Sequence, residues 1–95
     1  MVHTTLTWDV AERNRAIEYM VAQQEATRVQ FGCLECYWSA DLTDLAIFYE
    51  MERWTTEEAF RHHARAGPKY PPEARRLIRR ARTFRYTVSE GRKLH

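Results

Sequence analysis

Glycine and proline are scarce in this chain, three of each in 95 residues. That scarcity excludes collagen-like and low-complexity disordered classes, which depend on both. Cysteine is nearly absent. Two residues cannot build the disulfide framework of a small secreted scaffold, and no second pair exists to complete a structural zinc site. No apolar run approaches the ~20 residues a membrane-spanning helix needs. The opening Val2-His3-Thr4-Thr5 lacks the basic and apolar parts of a secretory signal, so the cytoplasm is the expected location. A net charge of +2 gives no general attraction to nucleic acid.

What remains is an ordinary globular composition, 44% hydrophobic and 29% charged, that suits one domain over residues 1–95. A domain of this size buries only about 60–65% of its unfolded surface, so its own core is thin. Three Trp, five Tyr and four Phe are generous for the length and can bury large areas or line a pocket.

The two cysteines, Cys33 and Cys36, form C-x-x-C. The flanking Leu34-Glu35-Cys36-Tyr37-Trp38 reads as a strand, which sends positions i and i+3 to opposite faces. Three strand residues also hold the Cα atoms ~10 Å apart, beyond disulfide reach. Two half-buried thiols in a reducing compartment are expected.

Residues 2–8 alternate Val2, Thr4, Leu6 and Trp8 against His3, Thr5 and Thr7, the period of a strand. A helix follows from Ala11 to about Gln30, with Ile17, Met20, Val21, Gln24 and Phe31 marking one face, and Gly32 ends it. A second strand covers Leu34 to Ala40, and a third Leu45 to Trp54, joined by the polar turn Asp41–Asp44. Thr55 and Glu58 fit a capping box opening a helix that stops at Gly67-Pro68. Pro72 begins a short helix reaching Arg82, and Thr83 to Ser89 form the last strand. The order β-α-β-β-α-(α)-β is that of a ferredoxin-like α+β fold with a four-stranded antiparallel sheet.

The third strand is apolar on both faces. One carries Leu45, Ile47, Tyr49, Met51 and Arg53; the other carries Ala46, Phe48, Glu50, Glu52 and Trp54. Helices cover only one face of such a sheet, and each large side chain left in water forgoes ~1.5–3 kcal/mol of burial. A second copy of the chain is the expected cover, giving a homodimer through the sheet face.

The other face sets Glu50 and Glu52 among apolar neighbours, where carboxylates are costly unless paired or open to a wet cavity. Either they anchor a pocket between sheet and helices, or they pair with Arg28, Arg61 or Arg65 at the rim. Phe60, His63, Ala64 and Gly67 share one helical face, which buries His63 and leaves His62 to solvent. His63 is then a satisfied core residue or an acid-base group in that pocket.

Gly32-Cys33-Leu34, then Phe48-Tyr49-Glu50-Met51-Glu52-Arg53-Trp54-Thr55-Thr56-Glu57-Glu58-Ala59-Phe60, then His63, resembles the antibiotic biosynthesis monooxygenase family. Residues 52–63 are similar to its E-R-W-x-(S/T)-x-E-A-(aromatic or Leu)-x-x-H signature. The resemblance implies a dimeric α+β barrel with a pocket in each subunit. It also implies oxygenation of an electron-rich aromatic (a quinol, anthrone or polyketide intermediate) by molecular oxygen, without metal or other cofactor. His63, Glu50 and Trp54 would be the catalytic residues, with Phe60, Phe48 and Glu52 contacting substrate. Trp54 matches the anthrone-type pattern. Glu50 stands where that pattern has an amide, and Phe60 where it has a Tyr hydroxyl. The haem-degrading branch needs an Asn in the first strand and a His after the second helix. His3, Thr4 and Thr5, and Glu73, stand there instead. The alternative is a non-catalytic ligand-binding or isomerase-type barrel.

Arg75, Arg76, Arg79, Arg80 and Arg82 alternate with Ala74, Leu77, Ile78 and Ala81, which predicts an amphipathic helix with a solvated basic face. RNA-recognition domains share this topology, but their central strands carry exposed aromatics in a Gly-rich basic motif. Strand three here is acidic, so no nucleic-acid partner is expected.

Overall fold

In the computed structural model, which describes residues 1–87, the elements run β1 (Val2–Trp8), a 3-10 turn (Val10–Glu12), α1 (Arg13–Arg28), β2 (Cys33–Ala40), β3 (Ile47–Trp54), α2 (Glu57–Ala66), α3 (Pro72–Arg75) and β4 (Ile78–Arg85). The four strands form one antiparallel sheet in the order β2-β3-β1-β4. This is the ferredoxin-like α+β arrangement predicted above. No helix among the described residues is long and apolar enough to cross a membrane.

Alternation in β1 sends Val2, Leu6 and Trp8 to the helix side. Leu6 and Trp8 meet Phe48 of β3, Ala16 and Met20 of α1, and Ala74 of α3 in the hydrophobic core. Tyr70 packs edge-on against Trp8 with ring centroids 5.6 Å apart. The edge strand β2 is held by side chains of α1. Gln24 Oε1 accepts the Trp38 N–H at 2.8 Å, and Arg28 Nε donates to the Cys36 carbonyl at 2.7 Å. Helical side chains thus satisfy polar groups that a bare sheet edge leaves open.

Several local expectations are corrected. The residues of the expected basic helix belong mostly to β4, since α3 ends at Arg75 and Ile78 is already paired with Trp8. Ala, Leu and Arg favour helix locally, but pairing satisfies the second edge of β1 and overrides propensity. The last strand consequently starts five residues before Thr83, and Val88 and Ser89 of its predicted end lie outside the described residues. Val21 and Phe31 are exposed, and Thr27 is buried in their stead. Leu45 also lies exposed ahead of β3, because Asp41 and Asp44 accept the Thr43, Asp44 and Ala46 N–H groups and hold a turn there. The cap of α2 is Thr56, whose hydroxyl accepts the Ala59 N–H at 3.0 Å, rather than Thr55.

The cysteines are corrected too. A bulge between Cys33 and Glu35 sets Cys33 opposite Trp54 and Cys36 opposite Glu52. Trp54 and Glu52 share a face, so the extra residue turns both cysteines toward the helix side. Cys36 is fully buried, Cys33 half-buried, and both are free.

The opposite sheet face carries Tyr37, Ile47, Tyr49, Met51 and Phe84, with no element of the described chain over it. Tyr37 and Phe84 are exposed and the β3 residues half-buried.

Gly32 has φ +86°, the left-handed region expected of it. A Cβ there would stand 2.5 Å from the Ala59 Cβ and 2.9 Å from Thr55 Oγ1, so β2 and α2 approach through this glycine. Gly32→Ala combines backbone strain with overpacking and should cost about 2–4 kcal/mol in urea denaturation. An unchanged midpoint would show that the approach is not tight.

Candidate functional site

Antiparallel pairing places the site. Thr4 and Trp38 flank Glu50 across the sheet, while Val2 and Cys36 flank Glu52. The strand period puts both carboxylates on the helix side, where Glu50 is 6% and Glu52 5% exposed. Trp54 continues this face, and its indole N–H donates to Glu52 Oε1 at 2.8 Å. From α2, His63 lies against Trp54 with centroids 4.8 Å apart, and Phe60 meets the same indole edge-on at 6.2 Å. Arg85 of β4 stands 5.6 Å from the Phe60 ring centroid.

Room for the imidazole comes from Gly67. A Cβ at that position would sit 2.5 Å from His63 Nδ1. Gly67 closes α2 in an extended conformation, φ −76° and ψ 180° to within a degree. The following Pro68 favours that conformation over a left-handed cap.

Of the six predicted site residues, His63, Glu50, Glu52, Trp54 and Phe60 gather beneath α2. Phe48 instead belongs to the hydrophobic core, with the Arg13 guanidinium over its ring. The rim ion pairs weighed for the carboxylates are absent among the described residues. Arg28 turns to the Cys36 carbonyl and Glu25, and Arg61 to Glu57. Two residues missed by the sequence reading join the group. Cys36 points its thiol at Glu50 Oε2, 3.6 Å away, because of the bulge. Tyr70, from the Pro-flanked loop, brings in a buried hydroxyl with no partner among the described residues. Pro71 and Pro72 marked the loop as stiff, but nothing local indicated where its Tyr would point.

Burial raises the Glu50 carboxyl to about 9, helped by its hydrogen bond and charge repulsion with Glu52. Glu50 therefore holds a proton at neutral pH. Burial pushes His63 the other way, below its ordinary value, against the nearby Glu52 charge that favours the imidazolium. Burial and the Glu50 charge raise the Cys36 thiol, which stays protonated. Tyr70 is raised by burial and then by Glu50, Cys36 and Glu52. The arrangement offers a carboxyl raised by burial on the sheet and a lowered imidazole stacked on the indole that donates to Glu52, the division of labour that acid-base chemistry needs.

The profile of the antibiotic biosynthesis monooxygenases matches residues 1–79. The chain belongs to that family. Solved structures agree with this placement. A candidate antibiotic biosynthesis monooxygenase from Deinococcus radiodurans is 25% identical with a TM-score of 0.86, over 100% of this chain and 99% of that one. A further antibiotic biosynthesis monooxygenase is 17% identical with a TM-score of 0.82, over 94% and 97% of the two chains. A candidate member from Bacteroides thetaiotaomicron is 21% identical with a TM-score of 0.78, over 100% and 95%. These last two likenesses concern the fold. No curated protein matches the chain. Within the family's frame, the signature Trp54 and His63 are the pair found stacked beside Glu52.

Unfolding returns Glu50 from about 9 to its usual 4.5. Between those values the folded state holds a proton that the unfolded state releases. This contribution is complete below about pH 4.5 and is lost as pH rises toward 9, at up to about 1.4 kcal/mol per pH unit. Glu50→Gln should flatten that slope, so its denaturation midpoint should gain on the parent between pH 5 and pH 9. Parallel curves for the two proteins would show that Glu50 is not held protonated.

Proposed function

We propose that the protein is a small cofactor-independent monooxygenase that oxidises an electron-rich aromatic of the quinol, anthrone or polyketide type with molecular oxygen. The observation that carries this reading is His63 stacked on Trp54, whose indole holds Glu52 next to the buried Glu50, with burial pushing Glu50 up and His63 down. Neutral His63 takes the proton of a phenol or an activated methylene. The resulting electron-rich anion passes an electron to oxygen and then forms a carbon–oxygen bond. One oxygen atom stays on the ring, and the other leaves as water with the two hydrogens lost by the substrate. Glu50, already protonated, supplies a proton to the departing oxygen. Trp54 and Phe60 hold the ring between them. His63 rather than Glu50 is the base, because a protonated carboxyl cannot accept the proton. Two unbridged thiols support a reducing, cytoplasmic setting.

The partner for the uncovered sheet face is a second copy, as the family resemblance implies. Tyr37, Ile47, Tyr49, Met51 and Phe84 supply the apolar area such a contact needs.

Oxygen uptake is measured with a panel of quinols and anthrones, with chelator present throughout. His63→Ala should lower turnover 10²–10⁴-fold, the usual worth of a general base. Glu50→Gln should lower the maximal rate while leaving substrate binding within a few-fold. Full turnover in both variants from pH 5 to 9 would return His63 to a structural role. No uptake with any substrate would favour the ligand-binding alternative.

Sedimentation at micromolar concentration should give about twice the 11.4 kDa chain mass. Ile47→Asp should shift the protein to monomer and lower its stability, since assembly contributes by mass action. A parent protein that sediments only as monomer refutes the dimer.

A further inference from the structure

Cys36, Glu50 and Glu52 bring a sulfur and two carboxylate oxygens within 4.8 Å of one another, and all three side chains are buried. Buried carboxylates ordinarily find a cation. Among the described residues no Lys or Arg forms an ion pair with either of these two. Two further polar groups on the helix side of the sheet lack partners among the described residues. His63, about nine-tenths buried, leaves Nδ1 unpartnered while its ring rests on the indole bonded to Glu52. The Tyr70 hydroxyl is buried and unpartnered among the described residues as well. The three donors now hold one another and the Trp54 indole, with the Cys36 thiol 3.6 Å from Glu50 Oε2, and an ion takes over these contacts by displacing the protons.

We propose that this cluster is a binding site for one transition-metal dication of the zinc class, held by Cys36 Sγ and one oxygen from each of Glu50 and Glu52. The donor set selects the ion. A sulfur ligand favours borderline metals over magnesium or calcium, which seek six or more oxygens. Ligand distances of about 2.0–2.3 Å to a tetrahedral ion are compatible with donors this close, given small side-chain rotations. The ligands sit on two paired strands, Cys36 directly opposite Glu52 and Glu50 two residues along the same face. They are therefore fixed by the sheet before any ion arrives. Entry is from outside β2, where a cleft of about 370 Å³ is lined by Arg28, Cys33, Leu34, Glu35, Cys36 and Tyr37.

The site shares Glu50 with the oxygenase reading but does not rest on that reading. An ion bound to Glu50 would occupy the group assigned as proton donor, so the metal is an inhibitor of that chemistry rather than its cofactor.

The test uses the full chain, stripped of metal by chelator, titrated with Co²⁺ and then Zn²⁺ in the absence of substrate. One equivalent of Co²⁺ should bind at micromolar or tighter concentration, with a near-ultraviolet sulfur-to-cobalt charge-transfer band that Zn²⁺ abolishes. Cys36→Ser should remove the band, Glu50→Gln and Glu52→Gln should each weaken binding at least tenfold, and Cys33→Ser should leave it intact. Near-ultraviolet circular dichroism checks that each variant is folded, and the three conservative replacements give separate chances of a folded reporter. No saturable uptake, or a band that survives Cys36→Ser, overturns the proposal. Equal loss in Cys33→Ser and Cys36→Ser with both Glu variants unaffected also overturns it, in favour of chelation by C-x-x-C alone. Because no substrate is present, these outcomes leave the oxygenase reading untouched, and failure of oxygen uptake leaves this site untouched.

Discussion

Two carboxylates on the helix side of a central strand are the constraint around which this protein is arranged. Placing Glu50 and Glu52 two residues apart in β3 guarantees that they share a face, pairing with β1 and β2 makes β3 a central strand, and the elements on the helix side bury both carboxylates. Burial then raises the Glu50 carboxyl, because two adjacent ionised carboxylates out of contact with solvent, and with no Lys or Arg paired to them among the described residues, would be costly. The remaining polar groups settle around that fact. Cys36 shares its thiol hydrogen with Glu50, and Trp54 spends its indole N–H on Glu52.

The surrounding fold is divided between closing this group in and leaving room beside it. Leu6, Trp8, Phe48, Ala16, Met20 and Ala74 form a compact apolar core on the same side of the sheet. Toward α2 the packing becomes aromatic and polar, with His63 and Phe60 on Trp54. Two glycines make that transition possible. Gly32 lets β2 begin directly under α2, and Gly67 leaves space for the imidazole where α2 ends. Both act through a missing Cβ, and only Gly32 also uses its freedom to adopt positive φ.

Membership of the antibiotic biosynthesis monooxygenases goes with the ferredoxin-like architecture, and the fold stacks His63 on Trp54. Against the anthrone-type pattern that the sequence resembles, the chain departs at Glu50 and Phe60. A carboxyl group in place of an amide adds a proton that can be held or given up, and a Phe in place of a Tyr removes a hydroxyl from the opposite wall. In the proposed reaction the acid group therefore lies on the sheet and the neutral nitrogen on the helix.

The sequence by itself determined the order of elements, the face of β3 that carries the carboxylates, the left-handed Gly32 and the burial of His63. Each follows from a local period or a local backbone preference, which short stretches of chain encode without help. Tertiary structure decided the rest. A bulge one residue long put Cys36 on the same face as Cys33, beside Glu50, where plain alternation had set the two on opposite faces. Pairing with β1 drew Arg79 to Arg82 into a strand although their composition favours helix. Tyr70 reached the carboxylates only because its loop folds back over Trp8. The protonation of Glu50 also had to wait for the fold, since desolvation depends on everything packed above the sheet and not on the residues beside it in the chain.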